Sequence, residues 1–157
     1  MKIKGYSPLL FLRVILVIAL LVIMVRTQFA EKNSSVSVET MEAKIMAVVD
    51  AGNMMEKSTN RMFKKFYGLN AGDYDGVVFY KPVSGMNAEE MVIIRLADNS
   101  QAEAAVQAIE QRLASQKNSL EGYGVEQTAL LNQPVLQSHG NYVFYIVHEK
   151  AADAGNA

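Results

Sequence analysis

The sequence predicts an α+β domain that follows an N-terminal transmembrane helix. Three observations support this fold class: a long apolar run near the N-terminus, apolar residues at helical spacing over 38–67 and 100–120, and alternating residues in two pairs of strands. A strand pair, a helix and a second strand pair favour a mostly antiparallel sheet of about four strands, with helices packed on one face.

Charge is distributed unevenly along the chain. The 157 residues contain 15 Lys and Arg, 16 Asp and Glu, and no cysteine. Residues 1–32 have a net charge of +4, whereas residues 33–157 contain 10 basic and 15 acidic side chains, a net charge of −5. An acidic body without tryptophan argues against a nucleic-acid-binding surface. The lack of cysteine excludes disulfides, thiolate metal sites and cysteine nucleophiles.

The longest apolar run covers residues 8–25, where Arg13 is the single charged side chain. A helix of this length just spans a hydrocarbon core of about 30 Å, and Arg13 lies near enough to its start to reach the interface. We predict an uncleaved anchor within residues 1–26, with the N-terminus in the cytoplasm because basic residues precede the run. The alternatives are a signal peptide, for which Ala30 marks a poor cleavage site, and a buried core helix.

Residues 27–37 are polar and predict a tether between the anchor and a domain over residues 38–150. Apolar residues three and four positions apart predict a first helix over 38–49, ended by Gly52. Ser58 is a suitable N-cap for a second, short helix that ends before Gly68.

After the second helix the apolar residues recur at every second position and no longer at helical spacing. This alternation predicts strands over 74–82 and 90–96. A long helix over 100–120 follows, and Ser100 with Glu103 forms a capping-box pattern at its start. One or two helical turns over 125–131 then lead to a hairpin of strands 134–138 and 141–148, with Gly140 in the turn. Residues 151–157 predict a disordered tail.

Four short motifs occur together in the central and C-terminal parts of the chain. They are Asn-Ala-Glu-Glu-Met-Val-Ile-Ile at 87–94, Leu-Ala-Ser-Gln-Lys-Asn-Ser-Leu at 113–120, Tyr123, and Gly-Asn-Tyr-Val at 140–143. This set resembles the bacterial family catalogued as domain of unknown function 4358, over roughly residues 38–150. The resemblance implies an extracytoplasmic domain with one N-terminal membrane segment or a lipoprotein signal. It implies no established activity.

Glu90 is the leading candidate for a binding residue. Because side chains alternate between the two faces of a strand, Glu90 lies on the same face as the apolar side chain of Val92. A carboxylate at the rim of an apolar face needs hydrogen bonds or a cation. We expect Gln116, Lys117 and Tyr123, at the exit of the long helix, to form a polar cluster with it, with Lys117 or Tyr123 as its partner. The alternative is that this cluster only orders the exit of the helix.

Sequence motifs for metal binding or catalysis are lacking. His139 and His148 are predicted in a turn and at a strand end, not as a helical ligand pair. Residues 73–76 match only a fragment of a calcium loop, and residues 52–58 lack the second glycine of a phosphate-binding loop. We therefore predict no metal, no cofactor and no catalytic residue.

These features favour a membrane-anchored extracytoplasmic binding or assembly module of the bacterial cell envelope. It would contact the cytoplasmic membrane through residues 8–25 and would have a protein partner but no nucleic acid. Two other interpretations stay open: a regulatory or sensory subunit of a membrane complex, and an envelope hydrolase that uses carboxylates such as Glu90.

Overall fold

The computed structural model describes residues 13–20, 33–50, 52, 54–122 and 124–157. The chain divides into two compact units, Met1–Lys32 and Asn33–Ala157. In the first unit, residues 13–20 are helical and exposed. No helix among the described residues combines the length and the hydropathy needed to cross a membrane. The rest of the predicted anchor, at 1–12 and 21–26, and the first part of the predicted tether, at 27–32, lie outside the described residues.

The second unit has an α+β fold. Its elements are, in chain order, α1 (Val38–Met46), β1 (Met55–Lys57), α2 (Asn60–Tyr67), β2 (Gly76–Pro82), β3 (Glu90–Arg95), α3 (Ala102–Leu120), α4 (Val125–Leu131), β4 (Val135–His139), β5 (Tyr142–Val147) and α5 (Ala151–Ala154). Short 3₁₀ turns at Ala71–Asp73 and Asn99–Gln101 precede β2 and α3.

The strands form one antiparallel sheet in the order β1-β2-β3-β5-β4, which confirms the predicted α+β class. The sheet has five strands, whereas about four were expected. The additional strand is β1, which pairs with the end of β2. Its three residues are too few to produce a recognisable alternation of polar and apolar side chains.

Helices cover both faces of the sheet, so the expectation of helices on one face is wrong. On one face, α2 and α3 pack against Val92 and Tyr145. On the other face, α1 and α5 pack against Ile93 and Ile146. Both central strands, β3 and β5, are therefore buried on two sides, and they are almost continuously apolar. Continuous apolar runs of this kind are typical of strands that are covered on both faces.

The C-terminal segment is ordered, which contradicts the predicted disordered tail. Ala151 and Ala154, in α5, are buried against the sheet. The backbone of Gly155 lies so close to Val135 and Gln137 that an added Cβ would be 3.0 Å from both side chains. Small residues allow this close approach, and their low hydrophobicity conceals it in the sequence.

The end of the predicted tether belongs to the folded domain. The side chain of Asn141 forms two hydrogen bonds with its backbone. The N–H of Ser34 donates to Oδ1 of Asn141 at 2.7 Å, and Nδ2 of Asn141 donates to the carbonyl of Ser34 at 3.1 Å. The hydroxyl of Tyr142 donates to the carbonyl of Val36 at 2.6 Å. A side-chain amide offers a donor and an acceptor together, so it can pair with backbone as a strand would. The compact unit thus begins at 33 and not at 38.

The helix caps and turns are of the predicted types, but some of them use residues one or two positions away from those predicted. Gly68 ends α2 with φ 71°, and Gly140 turns the hairpin with φ 55°, as predicted. Thr59 caps α2 in place of Ser58. The capping box before α3 uses Asp98 and Gln101, two residues N-terminal to the predicted pair of Ser100 and Glu103.

The Asn141 contact predicts a stability difference between two fragments. A fragment of residues 33–157 should unfold cooperatively, and Asn141→Ala should lower its free energy of unfolding by about 1–3 kcal/mol because two hydrogen bonds to Ser34 are lost. In a fragment of residues 38–157 the same substitution should have an effect below about 0.5 kcal/mol. Urea denaturation of the four proteins measures both values. Equal effects in the two fragments would contradict this account of residues 33–37.

Candidate functional site

Glu90 lies at the start of β3 and is fully buried. Three side chains donate hydrogen bonds to its carboxylate. The hydroxyl of Tyr67, from α2, donates to Oε1. Arg112, from α3, donates from Nη2 to Oε2 at 2.8 Å and from Nε to Oε1 at 3.2 Å. Nε2 of Gln116 donates to Oε2 at 3.3 Å. We call these four residues the Glu90 cluster.

The sheet and two helices bring the Glu90 cluster together. Tyr67 occupies the last position of α2, on the face that also buries Phe63. Arg112 and Gln116 are four residues apart on α3, in register with the buried residue Ile109. Residues at this spacing share one face of a helix, so Arg112 and Gln116 both face the sheet. The cluster therefore joins β3, α2 and α3.

Arg112 is held in one orientation from two directions. Its two-point contact with Glu90 fixes one edge of the guanidinium, and the group lies 4.4 Å from the centre of the Phe66 ring. Burial lowers the pKa of Arg112, but the hydrogen bond and charge of Glu90 outweigh it, so the net shift of this pKa is upward. Its side chain is 18% exposed. Within the described part of the chain, only Nε and Nη2 donate hydrogen bonds, which leaves Nη1 available.

Two of the predicted site residues form the expected contact and one does not. Glu90 and Gln116 meet, as described above. Lys117 is exposed, and Arg112 takes the place predicted for it beside Glu90. Lys117 follows Arg112 by five positions on a helix of about 3.6 residues per turn, so it faces another direction. Tyr123 lies outside the described residues.

Sequence reasoning missed Arg112 and Tyr67, although each had a detectable signal. Arg112 continues the spacing of the buried residues of α3, from Ile109 to Gln116. Tyr67 follows the buried Phe63 by four positions on α2. A charged or hydroxyl side chain that continues the helical spacing of buried residues needs a hydrogen-bond partner inside the protein. The carboxylate of Glu90 is that partner for both residues.

A groove of about 410 Å³ opens beside the Glu90 cluster, between α2, α3 and the loop that joins β2 to β3. A second cavity of about 520 Å³ continues along α2 and α3 and shares Lys65, Phe66 and Arg112 with it. We call the two together the α2–α3 groove. Lys81 also lines it. Among the described residues, none of those that line either cavity is acidic.

Exposed apolar side chains lie on and beside the loop that joins β2 to β3, and one of them, Val83, lines the α2–α3 groove. Val83 is 44% exposed, Met86 is 54% exposed and Met54 is 47% exposed. The three come from two segments that are joined by the hydrogen bond from the N–H of Val83 to the carbonyl of Met54, at 3.0 Å. We call them the apolar rim. Clustered exposed apolar residues next to a groove are typical of an interaction surface.

Other parts of the domain offer fewer polar groups. A cavity of about 310 Å³ on the opposite face of the sheet is lined by apolar residues such as Met41 and Phe144. His148 accepts a hydrogen bond from the N–H of Lys150, and its Nε2 lies 3.9 Å from Oε1 of Glu89. In the part of the chain that the structure describes, no three His, Asp or Glu residues form a group that could hold a metal ion.

Comparison with known families identifies the class of protein. The family model described as a domain of unknown function, DUF4358, matches residues 47–148. This match covers more than half of the chain and includes Glu90, Arg112 and Gln116, so the chain belongs to this family. The match confirms the resemblance found in the sequence motifs. No curated protein and no solved structure matches the chain.

The Glu90 cluster predicts non-additive effects on stability. Arg112→Met leaves a buried carboxylate without its cation and should lower the free energy of unfolding by about 3–5 kcal/mol. Glu90→Gln removes the charge, and the double variant should differ from the sum of the single variants by about 0.5–3 kcal/mol. Urea denaturation provides these values. Lys117→Met is the control and should add to Glu90→Gln with no coupling; coupling of Lys117 and not of Arg112 would contradict the geometry.

Two buried tyrosines predict a loss of stability in alkali. Burial, followed by the charge and hydrogen bond of Glu90, raises the pKa of Tyr67 well above its usual value. Burial and the charge of Glu90 also raise the pKa of Tyr145. Tyrosines of the unfolded chain ionise near pH 10, so above about that pH the folded state retains protons that the unfolded state has lost. The free energy of unfolding should therefore be unaffected by these groups below about pH 10 and should fall as the pH rises further.

Thermal unfolding measured as a function of pH, together with phenolate absorbance, tests this alkaline effect. Tyr67→Phe should make the decline shallower, because one of the tyrosines with a raised pKa no longer ionises on unfolding. Tyr74→Phe is the control, since Tyr74 is less buried and should change the slope less. Ionisation of all tyrosines near pH 10 in the folded protein would refute the prediction.

Proposed function

We propose that the chain is a membrane-anchored extracytoplasmic module that binds a protein partner through the α2–α3 groove. The observation that carries this proposal is that the fixed edge of Arg112 and Val83 of the apolar rim line one groove. A rigid donor beside exposed apolar side chains is the arrangement found at the centre of many protein interfaces.

The environment of Glu90 supports binding over catalysis. Both carboxylate oxygens already accept hydrogen bonds, from Tyr67, Arg112 and Gln116. A general acid or base must be able to reach the proton that it transfers, and a buried carboxylate held by three donors is poorly placed to do so. In this proposal Glu90 positions Arg112, and Arg112 meets the partner.

The sequence of the first unit supports the membrane location. Residues 8–25 are apolar except for Arg13, and the described apolar side chains between Val14 and Leu20 are about half exposed. Exposed apolar side chains in succession are costly in water and favourable in lipid. The basic side chains near the start of the chain favour a cytoplasmic N-terminus, which would put the domain that begins at 33 outside the membrane.

Cell fractionation tests this location. The full chain with a C-terminal tag should sediment with membranes, and protease added to spheroplasts should digest the tag. Leu16→Asp combined with Ile18→Asp should release the chain from the membrane fraction, because two charges in the apolar run cost about 5–7 kcal/mol in lipid. Glu103→Gln combined with Glu110→Gln, on the exposed side of α3, is the control and should not change the fractionation. A tag that stays protected in intact spheroplasts would contradict the extracytoplasmic location.

Cross-linking from the apolar rim tests the partner. A photoreactive residue at Met86 should give a specific adduct in membranes, and Arg112→Met should reduce its yield. The same residue at the exposed Gln107 should give no such adduct. Equal adducts from both positions would mean that the α2–α3 groove is not the binding surface.

A further inference from the structure

We propose that the α2–α3 groove binds an acidic peptide segment of the partner, with carboxylates against Lys65, Lys81 and Arg112 and an apolar side chain against the apolar rim. This inference deepens the proposed function and rests on it, because it names the chemistry of the partner at the same groove.

The charge of the groove differs from that of the domain. Residues 33–157 contain 10 basic and 15 acidic side chains, a net charge of −5. Three of those ten basic residues nevertheless line the α2–α3 groove, and in the described residues no acidic side chain lines it with them. A local cationic groove on an acidic domain attracts a negatively charged segment at short range.

Arg112 supplies the directional part of recognition. Its contacts with Glu90 and Phe66 immobilise the guanidinium before any ligand arrives, and Nη1 retains its donors. A carboxylate that reaches this edge therefore gains hydrogen bonds without the entropy cost of ordering a mobile arginine. Because Glu90 balances the charge of Arg112 and Glu56 pairs with Lys81, the attraction that draws a carboxylate toward the groove comes mainly from Lys65.

The two lysines contribute differently to that attraction. Lys65 is exposed on α2. Lys81 is 21% exposed and forms an ion pair with Glu56, which is 54% exposed. A carboxylate in the groove has to replace Glu56 as the partner of Lys81, and an ion pair with so exposed a partner contributes little.

The apolar side chains favour a peptide over a membrane surface. Met62 and Phe66 line the groove together with Val83 of the apolar rim. Methionine side chains adapt to the shape of an apolar group, and a peptide can place such a group one or two residues from a carboxylate. An anionic lipid surface would meet a domain with a net charge of −5, which opposes close approach.

Methionine-methyl NMR of the full chain in neutral detergent micelles tests the proposal. The probes are two capped peptides, acetyl-Glu-Leu-Glu-Leu-amide and acetyl-Gln-Leu-Gln-Leu-amide, titrated to millimolar concentration. The acidic peptide should shift the resonances of Met62, which lines the groove, and of Met86 in the apolar rim, and should leave Met41, which lines the cavity on the opposite face, unchanged. The neutral peptide should bind about tenfold more weakly, because two charge contacts are lost. Substitution of each methionine by Leu assigns the resonances.

Charge reversal provides a matched comparison. Lys65→Glu combined with Lys81→Glu should weaken binding of the acidic peptide by about tenfold or more. Lys64→Glu is the control: Lys64 is the preceding residue of α2, is also exposed and does not line the groove, so its substitution should leave the affinity unchanged. The melting temperature of each variant reports whether the fold is intact.

Several outcomes would overturn the proposal. They are equal affinity for both peptides, shifts at Met41 instead of Met62 and Met86, no shift with either peptide, or shifts caused by phosphatidylglycerol added to the micelles and not by the acidic peptide. If cross-linking from Met86 persists in any of these cases, the proposed function is retained and only the acidic nature of the partner segment is rejected. If the peptide binds but no adduct forms in membranes, the membrane partner is rejected and the preference of the groove for acidic peptides is retained.

Discussion

The structure depends on the burial of one carboxylate beneath two helices. Glu90 begins the central strand of the sheet, and water cannot reach it. A buried carboxylate is stable only when hydrogen bonds and a cation replace its water, which here requires Tyr67 from α2 and Arg112 from α3 to be in place at once. The position of both helices on the sheet is thus tied to the charge of a single side chain. Apolar residues of similar volume would avoid this requirement and are often equally stable. The use of an ion pair at this point therefore favours a role for the exposed part of Arg112.

The same interaction determines the shape of the α2–α3 groove. Arg112 cannot move toward solvent without leaving Glu90 unpaired, and it cannot turn sideways without losing the Phe66 ring. The groove therefore has a rigid polar floor, whereas its edges carry long, flexible side chains such as Lys65 and Met62. A rigid centre with an adaptable edge limits the entropy lost on binding to the side chains at the edge.

Periodicity in the sequence predicted the positions of most elements and the face of β3 on which Glu90 lies. It did not predict the partner of Glu90, because Lys117 is nearer to the helix exit in sequence, while the direction of a helical side chain depends on its angle around the axis. The three-residue strand β1, the alanines of α5 and the Asn141 contact also gave no clear signal. Each of them is stabilised by backbone pairing or close approach to the sheet, which leaves little trace in hydrophobic periodicity.

The Glu90 cluster and the Asn141 contact lie at opposite ends of the central strand, β3. Glu90 pairs in register with the end of β5, whereas Arg95 pairs with Tyr142, next to the Asn141 contact that holds residues 33–37. The five steps from Glu90 to Arg95, at about 3.4 Å each, separate the two ends by roughly 17 Å. Residues 33–37 therefore lie at one end of the strand, and the α2–α3 groove opens at the other. These residues do not line the groove, so a partner can occupy the groove without displacing them.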